Sequence, residues 1–354
     1  MSDDVSRIAG GAPRSAPKDL QAAPATGVRE LLSVAPGERD LPWLKVSLQR
    51  AVEIEHATIP VYLTALWSIQ SGEEVRSIIK GVISDEMRHM GLACNMLVAI
   101  GGTPRLTGPS FVPSYPGPLP GGVLPELTLT LGKLTRDRVR DEFIAVERPA
   151  APTSLKAATY PSIGEFYEAI AAAFLALKPQ LSTARQLSSH VGGSMAILKT
   201  VGDVQAAIDR IAREGEGVHG DAETLDLADP AALAHYYKFG AIFAGRHLVK
   251  LAQGGGHWAF AGAEIPWPSA IYDMAEVPPG GYGAVTLAFN SAYSHMLDLL
   301  QEAWTTGDER TLSAGVAAMF QLEGLAVALM QKPLPDRPGS YGPDFRYIPP
   351  EARG

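Results

Sequence analysis

The chain has a single cysteine in 354 residues, Cys94, so no internal disulfide can form and nothing suggests adaptation to an oxidising compartment. Cys94 lies in an apolar helical run and reads as a buried, inert thiol. No stretch of eighteen consecutive apolar residues occurs, so no segment is expected to span a membrane. The first forty residues are rich in Ala, Pro, Ser and Gly and lack the apolar centre of a signal peptide, which leaves the cytoplasm as the expected location. Positive charge is not in excess: the net charge is −8 and no basic patch stands out, which argues against nucleic acid as a partner. Alternation of period two is scarce. A strand-and-glycine nucleotide fingerprint, a Walker loop, a nucleophile elbow, a CxxC pair and a short internal repeat are all missing.

What is present is apolar residues at 46% against 19% charged, enough to build a sizeable core, in helical periods. The expected organisation is a flexible leader over 1–40, a helical domain over 41–348 and a short tail over 349–354. The first strong pattern starts at Pro42-Trp43 and places Leu44, Leu48, Val52, Ile59, Tyr62 and Leu66 on one stripe, with Pro60 predicting a kink. A second helix is expected from about Glu74 to Ile100, ended by "GGTP"; the pair reads as an antiparallel hairpin. Residues 103–133 form a long Pro/Gly-rich excursion whose Phe111 and Tyr115 suggest a cover that packs down. Further helices are expected after Thr135 up to Pro149, over 161–178, through "DVQAAIDRIAREGEG", broken by Gly215 and Gly217, and over 230–251, and two more close the chain. The fold class is mainly α.

One stretch in the second helix, "ISDEMRHM", poses a physical problem. Glu86 and His89 are spaced i, i+3 and continue the apolar stripe of Ile79 and Val82, so they point into the bundle. On the first helix the same phase selects Glu55, whereas Glu53 and His56 fall off that stripe. Carboxylates buried without a partner destabilise a fold. A divalent cation neutralises them and accepts the imidazole lone pair. A Glu on one helix facing Glu-x-x-His on its neighbour is the ligand pattern of carboxylate-bridged dinuclear sites in four-helix bundles. Tyr62, on the Glu55 stripe, is either an outer hydrogen-bond donor or redox participant, or a core tyrosine. Asp85 and Arg88 flank the motif as surface charges or outer partners. His190, His247, His257 and His295 lack ligand spacing and read as structural or exposed.

The segments "LQRAVEIEHATIPVYLTALWSI", "ISDEMRHMGLACNMLVAIGGTP", "FIAVERP", "SIGEFYEAI", "REGEG", "AHYYKFG" and "YGPDFRY" together resemble the ferritin-like domain of the iminophenyl-pyruvate dimer synthase family, over roughly residues 41–348. The resemblance implies a ferritin-like four-helix bundle elaborated with extra helices and long Pro/Gly-rich loops. It also implies a second half-site of Glu147, Glu216 and His235, giving four glutamates and two histidines. Glu216-Gly217-Val218-His219 is a literal second copy of Glu-x-x-His, though its glycines make it a poor helix. Glu165 and Glu168 are rival ligands that sit off the stripe of their helix. Family members in pigment pathways couple two imines of aromatic pyruvates oxidatively.

The resulting expectation is a dinuclear non-haem oxidoreductase. Oxygen and nitrogen ligands suit two iron ions, with manganese as the alternative. Its expected partners are a small organic substrate and dioxygen, with self-association left open and no part for nucleic acid or membrane. Metal storage and a metal-free scaffold are the competing classes.

Overall fold

Helical packing begins before the expected domain boundary. In the computed structural model, which describes residues 27–149, 162–190, 193–215, 233–251 and 258–353, helix α1 (Val28–Ser33) buries Val28 and Leu31. The Trp43 indole N–H donates to the Leu31 carbonyl at 2.9 Å and ties this segment down. Residues 27–40, expected to belong to a flexible leader, are therefore a packed approach to the bundle, and residues 1–26 lie outside the described residues.

Helix α2 (Leu41–Ser68) starts where the Asp40 carboxylate accepts the Trp43 backbone N–H, with a proline in the first turn. It runs through Pro60 without a break in helical structure. Close to that proline the Ala57 carbonyl accepts the Tyr115 hydroxyl at 2.6 Å. Phe111 and Tyr115 are buried, so the long loop does pack down as a cover. Strand β1 (Ile69–Ser71) and Gly72 then turn the chain into helix α3 (Glu73–Ala99). Gly72 has φ 133°, and a Cβ there would lie 2.9 Å from the Pro268 side chain, so the turn requires glycine. Glu73 and Glu74 sit in the first turn, where the helix dipole favours negative charge.

After the loop, α4 (Arg136–Arg138), a π turn (Val139–Phe143) and α5 (Ile144–Val146) form one rod that stops at Glu147. A π turn shifts the phase of the residues beyond it, and such turns occur often at functional sites. Helix α6 (Ile163–Leu177) opens with a reciprocal cap between Ser162 and Glu165, and α7 (Val201–Glu214) opens with one between Thr200 and Asp203. Helix α8 (His235–Ala244) is shorter than the predicted 230–251. Gly245, at φ 71°, caps it in the left-handed region, and Arg246–Lys250 instead forms strand β4, antiparallel to β5 (Trp258–Glu264). Two further minimal pairings occur, β2 (Ser189–His190) with β3 (Gly193–Ser194) and β1 with β6 (Ala270–Ile271). Helices α9 (Leu287–Thr306) and α10 (Glu309–Met330) close the chain as a second hairpin across Gly307.

The α2–α3 hairpin is the centre of the molecule, with α6 and α8 against one side and α9–α10 against the other. Helix α2 is consequently buried around nearly its whole circumference, so Glu53 and His56 are buried although they lie off the Glu55 stripe. Glu53 is held there by Gln49 and Arg50. By length and composition α10 alone, among the described residues, is long and apolar enough to cross a membrane, because Ala, Leu, Val and Met dominate it although charges interrupt any unbroken apolar run. It packs on α9, buries Leu312, Leu322, Ala326 and Leu329, and leaves Phe320 65% exposed.

Candidate metal centre

Four separate segments deliver five ligand-type side chains to one dry spot. Glu55 comes from the middle of α2, Glu86 and His89 from the middle of α3, Glu147 from the end of α5, and His235 from the first turn of α8; each is at most 5% exposed. They form two groups that share Glu86: Glu55, Glu86 and His89 in one, and Glu86, Glu147 and His235 in the other. Within each group the ligand atoms lie within 4.8 Å of one another. His89 Nδ1 is 3.6 Å from Glu55 Oε2; His235 Nδ1 is 2.8 Å from Glu86 Oε1 and 3.6 Å from Glu147 Oε2. Both imidazoles thus turn Nδ1 inward, and both turn Nε2 outward onto a carboxylate. His89 Nε2 lies 2.9 Å from Glu214, and His235 Nε2 lies 3.3 Å from Asp85. Each terminal carboxylate accepts a buried phenol: Tyr62 donates to Glu147 at 2.6 Å, and Tyr167 donates to Glu55. Glu86 accepts the Thr58 hydroxyl at 3.1 Å. The two halves are alike, with one carboxylate in common.

Residues 48–244 match the ferritin-like family. The chain belongs to it. A solved ferritin-like protein from Caulobacter vibrioides has the same fold, with a TM-score of 0.62 at 21% identity, over 87% of this chain and 99% of that one. No curated protein matches in sequence.

In this ferritin-like chain the side chains by themselves are poorly matched. Burial, with Glu147 alongside, pushes the Glu86 carboxyl up to about 7. Burial would depress His89, yet its contacts with Glu214 and Glu55 outweigh burial and lift it to about 9. His235 is likewise raised, against burial, by Glu147 and Asp85. Both phenols are pushed well above their usual value, by burial first and then by the carboxylates they face, so they remain donors. Among the described residues no Lys or Arg reaches the three inner carboxylates. His235 Nδ1, though close to Glu86, has no hydrogen bond of proper geometry. A cation between Nδ1 and the carboxylates would satisfy that orphaned atom and neutralise the acids, so the ferritin-like fold and this donor set fit a dinuclear metal protein.

Of the residues singled out in the sequence, Glu55, Glu86, His89, Glu147 and His235 converge. Tyr62 is at the site as a hydrogen-bond donor to Glu147. Glu216 and His219 lie outside the described residues, as does His257. Glu165 and Glu168 are in neither group: Glu165 closes the α6 cap on the Ser162 N–H, and Glu168 is exposed. Two participants escaped sequence reasoning, and the role of a third was left open. Tyr167 shares the apolar stripe of Ile170 and Phe174, so from sequence alone it looks like packing. Glu214 ends α7, remote in sequence from any motif. Asp85 was left between surface and outer roles, and it faces His235. An acid placed directly before the Glu-x-x-His pair was the available signal for Asp85; Glu214 had none.

A cavity of about 300 Å³ leads from the centre toward α6 and α7. Glu55, Glu86, His89 and Glu147 form its floor, and Ile54, Val146, Ile163, Ala171, Ile208 and Ile211 are among its walls. Polar groups at the bottom of an apolar pocket are the usual form of a small-molecule site.

Proposed function

We propose that this protein is a dinuclear metal oxidoreductase acting on a small organic substrate. The observation that carries the reading is Glu86, a buried carboxylate common to two otherwise separate Glu/His groups at the floor of an apolar cavity. Glu55, Glu86 and His89 would hold one ion, and Glu86, Glu147 and His235 the other. Iron fits this oxygen- and nitrogen-rich set, with manganese the alternative. A pair of iron ions bound there would supply two-electron oxidation of the substrate, with dioxygen as the electron acceptor.

The chain's own part is positional. Tyr62 and Tyr167 orient the terminal carboxylates, Glu214 and Asp85 fix the ring planes of the histidines, and Thr58 holds Glu86. The apolar walls bind the body of the substrate and keep water from the centre. The finer reading suggested by the sequence resemblance is oxidative coupling of aromatic-pyruvate imines, and the apolar lining of the cavity is compatible with an aromatic body. Oxygen uptake by iron-loaded protein, supplied with imine made in place by an aromatic amino-acid oxidase, tests both levels. Uptake with a dimeric product supports coupling; uptake with other organic substrates alone supports only the broader activity. No uptake with any organic substrate by protein carrying its ions contradicts both.

A further inference from the structure

The outer faces of the two histidines are joined by a single side chain. Arg88 lies on α3 between the two halves, and its Nη2 donates both to Asp85 and, at 2.8 Å, to Glu214 Oε2. The same Glu214 oxygen lies 2.9 Å from His89 Nε2, and Asp85 Oδ2 lies 3.3 Å from His235 Nε2. The chain His89–Glu214–Arg88–Asp85–His235 therefore closes a loop behind the centre, while Glu86 closes it in front. Each outer carboxylate also has a cation of its own: Lys238 Nζ is 2.9 Å from Asp85, and Arg210 Nε is 2.9 Å from Glu214 Oε1. Those two serve one half each. Arg88 serves both, and its side chain is 12% exposed, so water screens it little.

We propose that Arg88 is a positioning residue that couples the two half-sites, holding both imidazole rings at once through Asp85 and Glu214, so that the two ions are bound as a pair. The inference rests on the dinuclear reading above. The physical ground is that a histidine ring is fixed by what its second nitrogen meets, and loss of such an outer partner typically lowers metal affinity by about 10–100-fold. A guanidinium held by two carboxylates cannot shift toward one without loosening the other.

The test is titration of the full chain with Co(II), reading the number of equivalents, their affinities and the visible ligand-field spectrum, with helical circular dichroism as the check on folding. Asp85→Asn and Glu214→Gln are each expected to weaken one equivalent by about 10–100-fold and to leave the other near wild type. Arg88→Met is expected to weaken both together and to change the spectrum of both. Arg88→Lys, which keeps the charge but not the two-sided reach, carries the same test should the methionine variant not fold: it too must weaken both. An Arg88 variant that binds two equivalents at wild-type affinity, or loses only one, overturns the coupling while the dinuclear reading stands. Wild-type protein that binds no cobalt overturns the dinuclear reading and the coupling with it.

Discussion

Glu55 and His56 are neighbours on α2, and both are almost completely buried, yet they face opposite worlds. On the Glu55 side lie two histidines, three carboxylates and two phenols in one network. On the His56 side lies a small apolar cavity lined by Met87, Met90, Met296 and Met319, where the ring meets Tyr293 at 2.7 Å and packs at a tilt against Phe111. Equal burial yields opposite acid–base behaviour. His89 is lifted to about 9 because carboxylates face both its nitrogens, whereas His56 is pushed down to about 3 because only burial acts on it. Partners, not depth, decide whether a buried imidazole belongs to a charged centre or to the core.

The largest expected effect breaks the polar side alone. Glu86→Gln removes the carboxylate common to both groups, so bound metal should fall from about two ions per chain to nearly none by elemental analysis. Above pH 7 the metal-free variant should be more stable than metal-free wild type in urea titration, since the cost of ionising a buried carboxyl whose value in the fold is about 7 is gone. Retention of both ions would refute the bridging role.

The second test contrasts the two histidines through pH. The value of His89 in the fold, about 9, exceeds its ordinary 6.5, so its stabilisation is complete below about pH 6.5 and is lost as pH rises through 9. Glu86, raised to about 7, works in the same direction from its ordinary 4.5 upward. Chelator-treated protein should therefore lose on the order of 2–3 kcal/mol between pH 6.5 and 9. Metal-loaded protein should not, because its ions displace those protons. His56 has the opposite sign: neutral in the fold down to about 3, it costs stability as pH falls below 6.5, where the unfolded chain takes up a proton that the fold refuses. A flat profile from pH 6.5 to 9 without metal would count against the account of the centre.

Next in size is His56→Gln, expected to cost about 1–3 kcal/mol through the loss of ring packing and the change at Tyr293. It should leave metal stoichiometry unchanged, and a fall in stoichiometry would show that the two sides of α2 are not independent. The smallest effects are those of Tyr62→Phe and Tyr167→Phe. Each removes one phenol donor and should weaken the ion on its own side by about tenfold in a cobalt titration, with little change in thermal stability.

The α2–α3 half of the centre was legible in the sequence because it is local. Glu55, Glu86 and His89 obey the period of the helices that carry them, each continuing an apolar stripe of its helix. Glu147 and His235 were legible as ligands through family resemblance; Glu147 also shares the stripe of Val139 and Phe143, whereas His235 opens a short helix where period says little. Tyr167 is indistinguishable in pattern from its packing neighbours until the distance to Glu55 is known. Glu214 meets His89 only because α7 lies against α3, a tertiary fact with no sequence period. The strand at Arg246–Lys250 has apolar residues that suit a helical period as well, and Gly245 decides between the two. The helices of the fold were largely readable from apolar spacing; the inner face of α2 was readable, but its burial on every side depended on how α9, α10 and the 103–133 loop close over it.

The central claim is that Glu86 lies between two cations. Crystals grown or soaked with Mn(II) or, anaerobically, with Fe(II), and measured at the metal absorption edge, test it directly. The account predicts two anomalous peaks flanking the Glu86 carboxylate, one toward Glu55 and His89 and one toward Glu147 and His235. A map with no peak there, or with metal only at surface carboxylates, would contradict it.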